Sequence, residues 1–149
     1  MPFKVQSDLG NDFTYGADDQ RHRFVFNGIW QVAKGLQLSA IHYTGAGIRA
    51  ATTYGGDKRV AQGFSARLRP NGTIVPRNSF MQPAQNKTDI RLQQRVTLHG
   101  RTAVDLIAEV FNAFNRPNYA LVTTESAANF RLNSTGQNRS AQLGFRLTF

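Results

Sequence analysis

Apolar and polar residues alternate with a period of two in five separate stretches of this chain. Between Ala141 and Phe149, Ala141, Leu143, Phe145, Leu147 and Phe149 share one face, and Gln142, Gly144, Arg146 and Thr148 share the other. Successive side chains of a strand point to opposite faces, so this pattern predicts a strand with one apolar side. From Arg21 a second stretch sets Phe24, Phe26, Gly28, Trp30 and Val32 against Arg23, Val25, Asn27, Ile29 and Gln31. Ala33-Lys34-Gly35 interrupts it and reads as a three-residue turn with Gly35 at positive φ. A strand from Leu36 to Thr44 follows, and parity sets Val32 opposite Leu36 and Trp30 opposite Leu38. In a third strand, Lys87 to Leu98, the apolar face holds Ile90, Leu92, Val96 and Leu98, with Gln94 as the exception. After the turn His99-Gly100-Arg101, a fourth strand from Thr102 to Ala113 puts Val104, Leu106, Ala108 and Val110 on that face. Good helix formers are frequent here, but the hairpin parity favours a strand.

The predicted strands therefore lie near residues 22–32, 36–44, 87–98, 102–113 and 139–149. Residues 1–20, 45–86 and 114–138 show no sustained period and read as loops, with short strand pieces around Phe64–Arg69 and Gly72–Val75. Short turns and long connections alternate, so all the short turns fall at one end of the sheet and the long loops at the other. Bacterial transmembrane barrels have this asymmetry. The strand lengths also suit the ~9–11 residues that a tilted strand needs to cross the hydrocarbon layer. Trp30 and Phe149 at the short-turn end, and Phe24 and Tyr43 at the long-loop end, fit interfacial aromatic girdles. The expected fold is all-β: an antiparallel meander of about five transmembrane-type strands, an incomplete portion of a larger outer-membrane β-barrel.

The same parity predicts that Arg95 lies opposite Asp105 and Arg91 opposite Glu109. Two opposite-charge pairs then arise on the polar, lumen-facing side, each contributing roughly 0.2–1 kcal/mol.

Composition changes this picture little. Lys and Arg outnumber Asp and Glu by 18 to 9, giving a net charge of +9. Such an excess suggests nucleic acid. Yet Arg23, Arg49, Arg91, Arg116 and Arg146 are scattered singly, with no basic run interleaved with aromatics as a stacking platform. No nucleic-acid partner is expected; anionic lipopolysaccharide or a polar lumen would accommodate the charge. The absence of cysteine excludes disulfides and thiolate metal sites. No run reaches the ~18 apolar residues of a membrane helix, a test blind to barrels. The opening Met1-Pro2-Phe3-Lys4 lacks the basic and apolar leader of a secretory signal.

Candidate chemistry is sparse. His22, His42 and His99 lack metal-ligand spacing. Gly63-Phe64-Ser65-Ala66 lacks the second glycine of a nucleophile elbow, and no phosphate-cradling loop is present. Asp89, Asp105 and Glu109 could serve as acid and base, but predicted Arg neighbours favour structural pairing. The expectation is no catalysis, no cofactor and no metal.

Several segments carry a resemblance. Arg21-His22-Arg23-Phe24-Val25, Gly35-Leu36-Gln37-Leu38-Ser39, the run from Ala108 through Phe111-Asn112-Ala113-Phe114-Asn115-Arg116-Pro117-Asn118-Tyr119, and the terminal Gln142-Leu143-Gly144-Phe145-Arg146-Leu147-Thr148-Phe149 resemble the carboxy-terminal strands of TonB-dependent outer-membrane receptors, closest to their Oar-like branch. The most distinctive piece is Phe111, Asn112, Phe114, Asn115, Pro117, Asn118 and Tyr119. The terminal strand is similar to the β-signal read by the barrel-assembly machinery, carried here by Gln142, Leu143, Gly144, Phe145, Leu147 and Phe149. The resemblance implies a location in the cell outer membrane and energy-coupled uptake of a large nutrient. Its implied partners are membrane lipid, lipopolysaccharide, the assembly machinery, and the remaining barrel and plug. Such receptors have about 22 strands, so five strands imply a fragment of a larger receptor. Two other readings stay open from the residues alone: a soluble β-sandwich binding ligand or carbohydrate through its loops, and a basic nucleic-acid-binding β protein.

Overall fold

The structure, a computed structural model, describes Gly10, residues 13–55 and residues 67–149, apart from the side chains of residues 133–135. Among the described residues every regular element is a strand. In chain order these are β1 (Arg23–Ala33), β2 (Leu36–Gly45), β3 (Arg49–Ala50), β4 (Phe80–Met81), β5 (Gln85–His99), β6 (Thr102–Phe111), β7 (Tyr119–Leu121), β8 (Asn133–Gly136) and β9 (Ser140–Thr148). The chain divides into two compact units.

One unit, residues 23–45, 85–118 and 137–149, is a single five-stranded sheet in the order β1-β2-β5-β6-β9. Every neighbouring pair is antiparallel. The sheet is a meander that does not close, and its two edge strands, β1 and β9, run in the same direction. Its strands are 9 to 15 residues long, enough to cross a bilayer core when tilted.

Register assembles one apolar face from all five strands. Trp30 lies opposite Leu38, Leu38 opposite Leu92, Leu92 opposite Ala108, and Ala108 opposite Leu143. The neighbouring rung runs through Gln94, Leu106 and Phe145, so the exceptional Gln94 does sit on the apolar face. Its amide donates to the backbone carbonyl of Arg95 at 3.0 Å, which limits the cost of its position. Leu143 and Phe145 are 87% and 79% exposed. Each such side chain forgoes about 1.5–3 kcal/mol when left in water. The face is built to meet an apolar medium.

The apolar band stops short of the long-loop end. There the same face carries a His42–Thr88 contact (Nδ1 to Oγ1, 2.8 Å) and a Thr44 hydroxyl donating to Asn86 Oδ1 at 2.6 Å. Tyr43, expected in an aromatic girdle with Phe24, instead faces the polar side: it pairs with Val25, and the Arg23 guanidinium lies 5.6 Å from its ring centroid. Phe24 and Trp30 remain on the apolar face.

Both tight turns differ from expectation in the same way. Ala33 pairs with Leu36 and His99 with Thr102, so only Lys34-Gly35 and Gly100-Arg101 are left to turn. A bulge at Val32 and another at Leu98 absorb the extra residue. Val32 therefore does not face Leu36, yet Trp30 still faces Leu38. Gly35 adopts φ 75°, and a side chain there would collide with the Arg95 carbonyl. Its own carbonyl accepts the Arg95 N–H at 2.7 Å. The strand expected to reach Ala113 stops at Phe111, because Asn112 turns into the left-handed region at φ 50°. The last strand ends at Thr148, leaving Phe149 outside the ladder and 93% exposed.

The second unit gathers the described residues up to His22 with residues 46–84 and 119–136. The two long connections are not structureless. β3 pairs with β4 and β7 with β8, and single bridges join Leu68 to Ile74 and Thr53 to Thr124. The strand piece expected at Phe64–Arg69 is reduced to the Leu68 bridge within the described residues, and residues 56–66 lie outside them. Val75 is fully buried and Phe80 nearly so.

Trp30 is the chain's single tryptophan, which makes the apolar face directly readable. Its emission should shift to the blue when the denatured chain is folded into detergent micelles or vesicles, and brominated acyl chains should quench it. Emission insensitive to brominated lipid would place the face elsewhere than in the membrane.

A charged sheet face and an asparagine corner

The face opposite the apolar one holds the sheet's charge. Arg91 lies opposite Glu109 and Arg95 opposite Asp105 in the β5–β6 register. On the far side of β6, Glu109 faces Gln142 and Asp105 faces Arg146. The side chains choose among these neighbours. Arg91 approaches Glu109 at 3.6 Å, and Glu109 also accepts a hydrogen bond from the Gln142 amide. The Asp105 carboxylate, 1% exposed, takes two hydrogen bonds from Arg146, Nε at 3.0 Å and Nη2 at 2.7 Å. Arg146, not Arg95, is its ion-pair partner. Lys87 meets Asp89 at 3.2 Å two residues along β5.

Above these pairs the polar face forms a hollow of about 480 Å³. Asn27, Ile29, Ser39, Ile41, Arg91 and Phe111 contribute to its lining. Charged and apolar side chains both contribute to its walls.

At the long-loop end of β6 the family-like segment builds a corner from asparagines spaced three apart. Asn112 is 1% exposed. Its amide Nδ2 donates to the carbonyls of Arg116 at 2.9 Å and Gln137 at 2.7 Å, and its Oδ1 accepts the Arg116 N–H at 3.0 Å. Its backbone N–H donates to Asp89 Oδ1 at 2.9 Å. Asn115, also left-handed at φ 49°, accepts the Arg139 N–H at 3.1 Å. Asn118 accepts the Asn86 N–H at 2.7 Å and donates to the Asn86 carbonyl at 2.6 Å. A primary amide offers one donor and one acceptor side by side, as a backbone peptide does. Asn112 and Asn118 each act as one rung of a ladder where the strands part. Asparagine also tolerates the left-handed backbone. Phe111 points to the polar face with the Lys87 ammonium 5.8 Å from its centroid, whereas Phe114 is exposed. Pro117, within the corner between Asn115 and Asn118, lies outside any strand.

In the other unit a third amide repeats the device: Gln82 accepts the Leu121 N–H at 2.7 Å and donates to the Leu121 carbonyl at 3.1 Å. Two further links join the long connections. Glu125 and Ser126 donate their N–H groups to the Thr53 and Tyr54 carbonyls, both at 2.9 Å. Arg69 grips the Glu125 carboxylate in a fork, 2.6 and 2.8 Å. That grip holds the Glu125 carboxyl below its ordinary range against the opposing effect of burial, with Arg131 nearby adding to it.

Among the described residues no group of His, Asp and Glu could hold a metal ion. In the terminal strand, Leu143, Phe145 and Leu147 belong to the apolar face, while Gln142 and Gly144 belong to the charged one. No helix of the described residues is long and apolar enough to cross a membrane, which says nothing of strands.

The family described as "Outer membrane beta barrel domain" matches residues 43–142, from the end of β2 into β9. The chain belongs to that family. Its five-stranded sheet is barrel wall, and membership points to the outer membrane as its location. No curated protein and no solved structure matches the chain.

In double-mutant cycles read by denaturant unfolding, Asp105 and Arg146 should show a measurable coupling, kept small by the exposure of Arg146. Asp105 and Arg95 should show a distinctly weaker one. Asn112→Ala should destabilise the corner by on the order of 3 kcal/mol, from stranded backbone partners and the left-handed site. Hydrogen exchange at Arg116 should rise accordingly while Ile107 stays protected.

Proposed function

We propose that this barrel wall belongs to a TonB-dependent outer-membrane receptor of the Oar-like kind, a transporter that takes up a large nutrient by energy coupling. The carrying observation is the sheet itself: one continuous apolar face, one charged face, and both long connections leaving the same end. In this reading the apolar face meets membrane lipid. The charged face, with Arg91, Arg95, Asp105, Glu109 and Arg146, lines the lumen. The long connections stand outside among lipopolysaccharide and take part in capture. Gln142, Leu143, Gly144, Phe145, Leu147 and Phe149 serve as the signal for the barrel-assembly machinery. The hollow beside Phe111 receives a plug. The reading assigns the chain no catalysis and no cofactor.

The open edges support the same view. In hydrocarbon the free N–H and C=O groups along β1 and β9 have no water to bond, at several kcal/mol for each unsatisfied group. Further strands must therefore pair with both edges of this sheet in a working receptor.

An epitope inserted at the exposed Asn71-Gly72 turn, in the native reading frame, should be labelled by antibody on intact cells. The labelled species should be heat-modifiable on gels and far larger than 16.6 kDa. Labelling that requires permeabilised cells would put the long connections on the wrong side. Deleting the gene should abolish growth on at least one large, scarce nutrient, and deleting the TonB protein should reproduce the defect. A growth defect unaffected by TonB would remove the energy-coupled part of the proposal.

A further inference from the structure

Within the loop unit, the two long connections enclose a hollow of about 360 Å³ whose lining includes Thr52, Ser79, Phe80, Glu125, Phe130 and Arg131. That volume is within the usual range for small-molecule sites. Its apolar side is a pair of rings, Phe80 and Phe130, with centroids 6.1 Å apart and planes tilted by 58°. The Arg131 guanidinium lies 5.9 Å from one centroid and 5.3 Å from the other. Cation–π attraction thus fixes the arginine at the pocket while leaving its N–H groups free to donate. Among the described residues none of those groups has a hydrogen-bond partner.

Two more observations narrow the ligand. Thr52 is 4% exposed, and its Oγ1 has no hydrogen-bond partner among the described residues. A buried hydroxyl in that state costs free energy until something bonds it. The carboxylate in the lining, Glu125, is already held by the Arg69 fork. Glu125 thus has two guanidinium neighbours, Arg69 in the fork and Arg131 nearby, and the three groups together carry one positive charge in excess. The pocket therefore offers a guanidinium in excess of its carboxylate, a waiting hydroxyl, a second hydroxyl at Ser79 and an aromatic wall. A simple anion would use only the first. A neutral sugar would waste it.

We propose that this pocket binds an acidic sugar, a hexose ring bearing a carboxylate. The carboxylate meets Arg131, ring hydroxyls meet Thr52 and Ser79, and the apolar face of the ring lies against Phe130. This proposal rests on the loop unit alone and does not require the transporter reading. Binding to the purified chain tests it, whereas surface exposure and growth test the other.

The full chain, folded in detergent, is titrated by calorimetry with D-galacturonate, D-galactose, acetate and benzoate. Saturable binding of galacturonate is expected, with galactose and acetate each about tenfold weaker or more, the loss that follows from one missing charge-assisted or hydroxyl contact. Arg131→Gln should weaken galacturonate by about tenfold without altering Trp30 emission, and Thr52→Val should weaken it by a smaller factor. Equal affinity for galactose and galacturonate would overturn the proposal, as would tighter binding of benzoate or no saturable binding at all. These comparisons on the unaltered chain decide the matter even if a variant fails to fold.

Discussion

A peptide group on the rim of a sheet has nothing to bond inside hydrocarbon, and most of this structure answers to that constraint. The three inner strands of the sheet have a neighbour on each side, so most of their backbone groups are paired. Where the ladder must end, side chains take over its work. Asn112 and Asn118 bond the N–H and C=O of Arg116 and Asn86, so the parting strands do not leave bare peptide behind. The amide of Gln82 does the same within the loop unit.

The second organising fact is the separation of the two faces. Period-two register carries every ion pair of the sheet to one side, where Asp105 and Glu109 find arginines across the β6 ladders. The other side carries Trp, Phe, Leu, Ile, Val and Ala, interrupted by Gln94 and giving way to His42, Thr44, Asn86 and Thr88 at the long-loop end. A one-residue slip of any one strand would turn that strand's apolar side chains onto the charged face, so each register is tied to those of its neighbours.

How much of this could be read from residues alone depended on distance along the chain. Alternation is a local property, so the face of Leu106 or Arg91 was legible, and the Arg95–Asp105 register followed from one tight turn. The bulges at Val32 and Leu98 were not, because a bulge with a two-residue turn preserves the same parity as a three-residue turn. Parity across one turn sets Asp105 against β5 alone, although an inner strand has two neighbours; the bonding partner, Arg146, lies on the other one. Asn112, Asn115 and Asn118 stood in plain view at a spacing of three, but their function depends on Asn86, Asp89 and Gln137, far away in sequence. The loop unit was the least legible. Its links, Arg69 to Glu125 and Gln82 to Leu121, are single side-chain contacts between segments that carry no period.

The direction of the edge strands has a further consequence. With five strands in strict alternation, β1 and β9 point the same way. A ring assembled only from copies of this sheet about a common axis would join β9 of one copy to β1 of the next in parallel, a seam foreign to all-antiparallel barrels. Closure with antiparallel neighbours on both edges needs an odd number of additional strands, whatever their origin. The sheet thus carries a parity rule: it can be completed by three strands or by seventeen, but not by its own duplication.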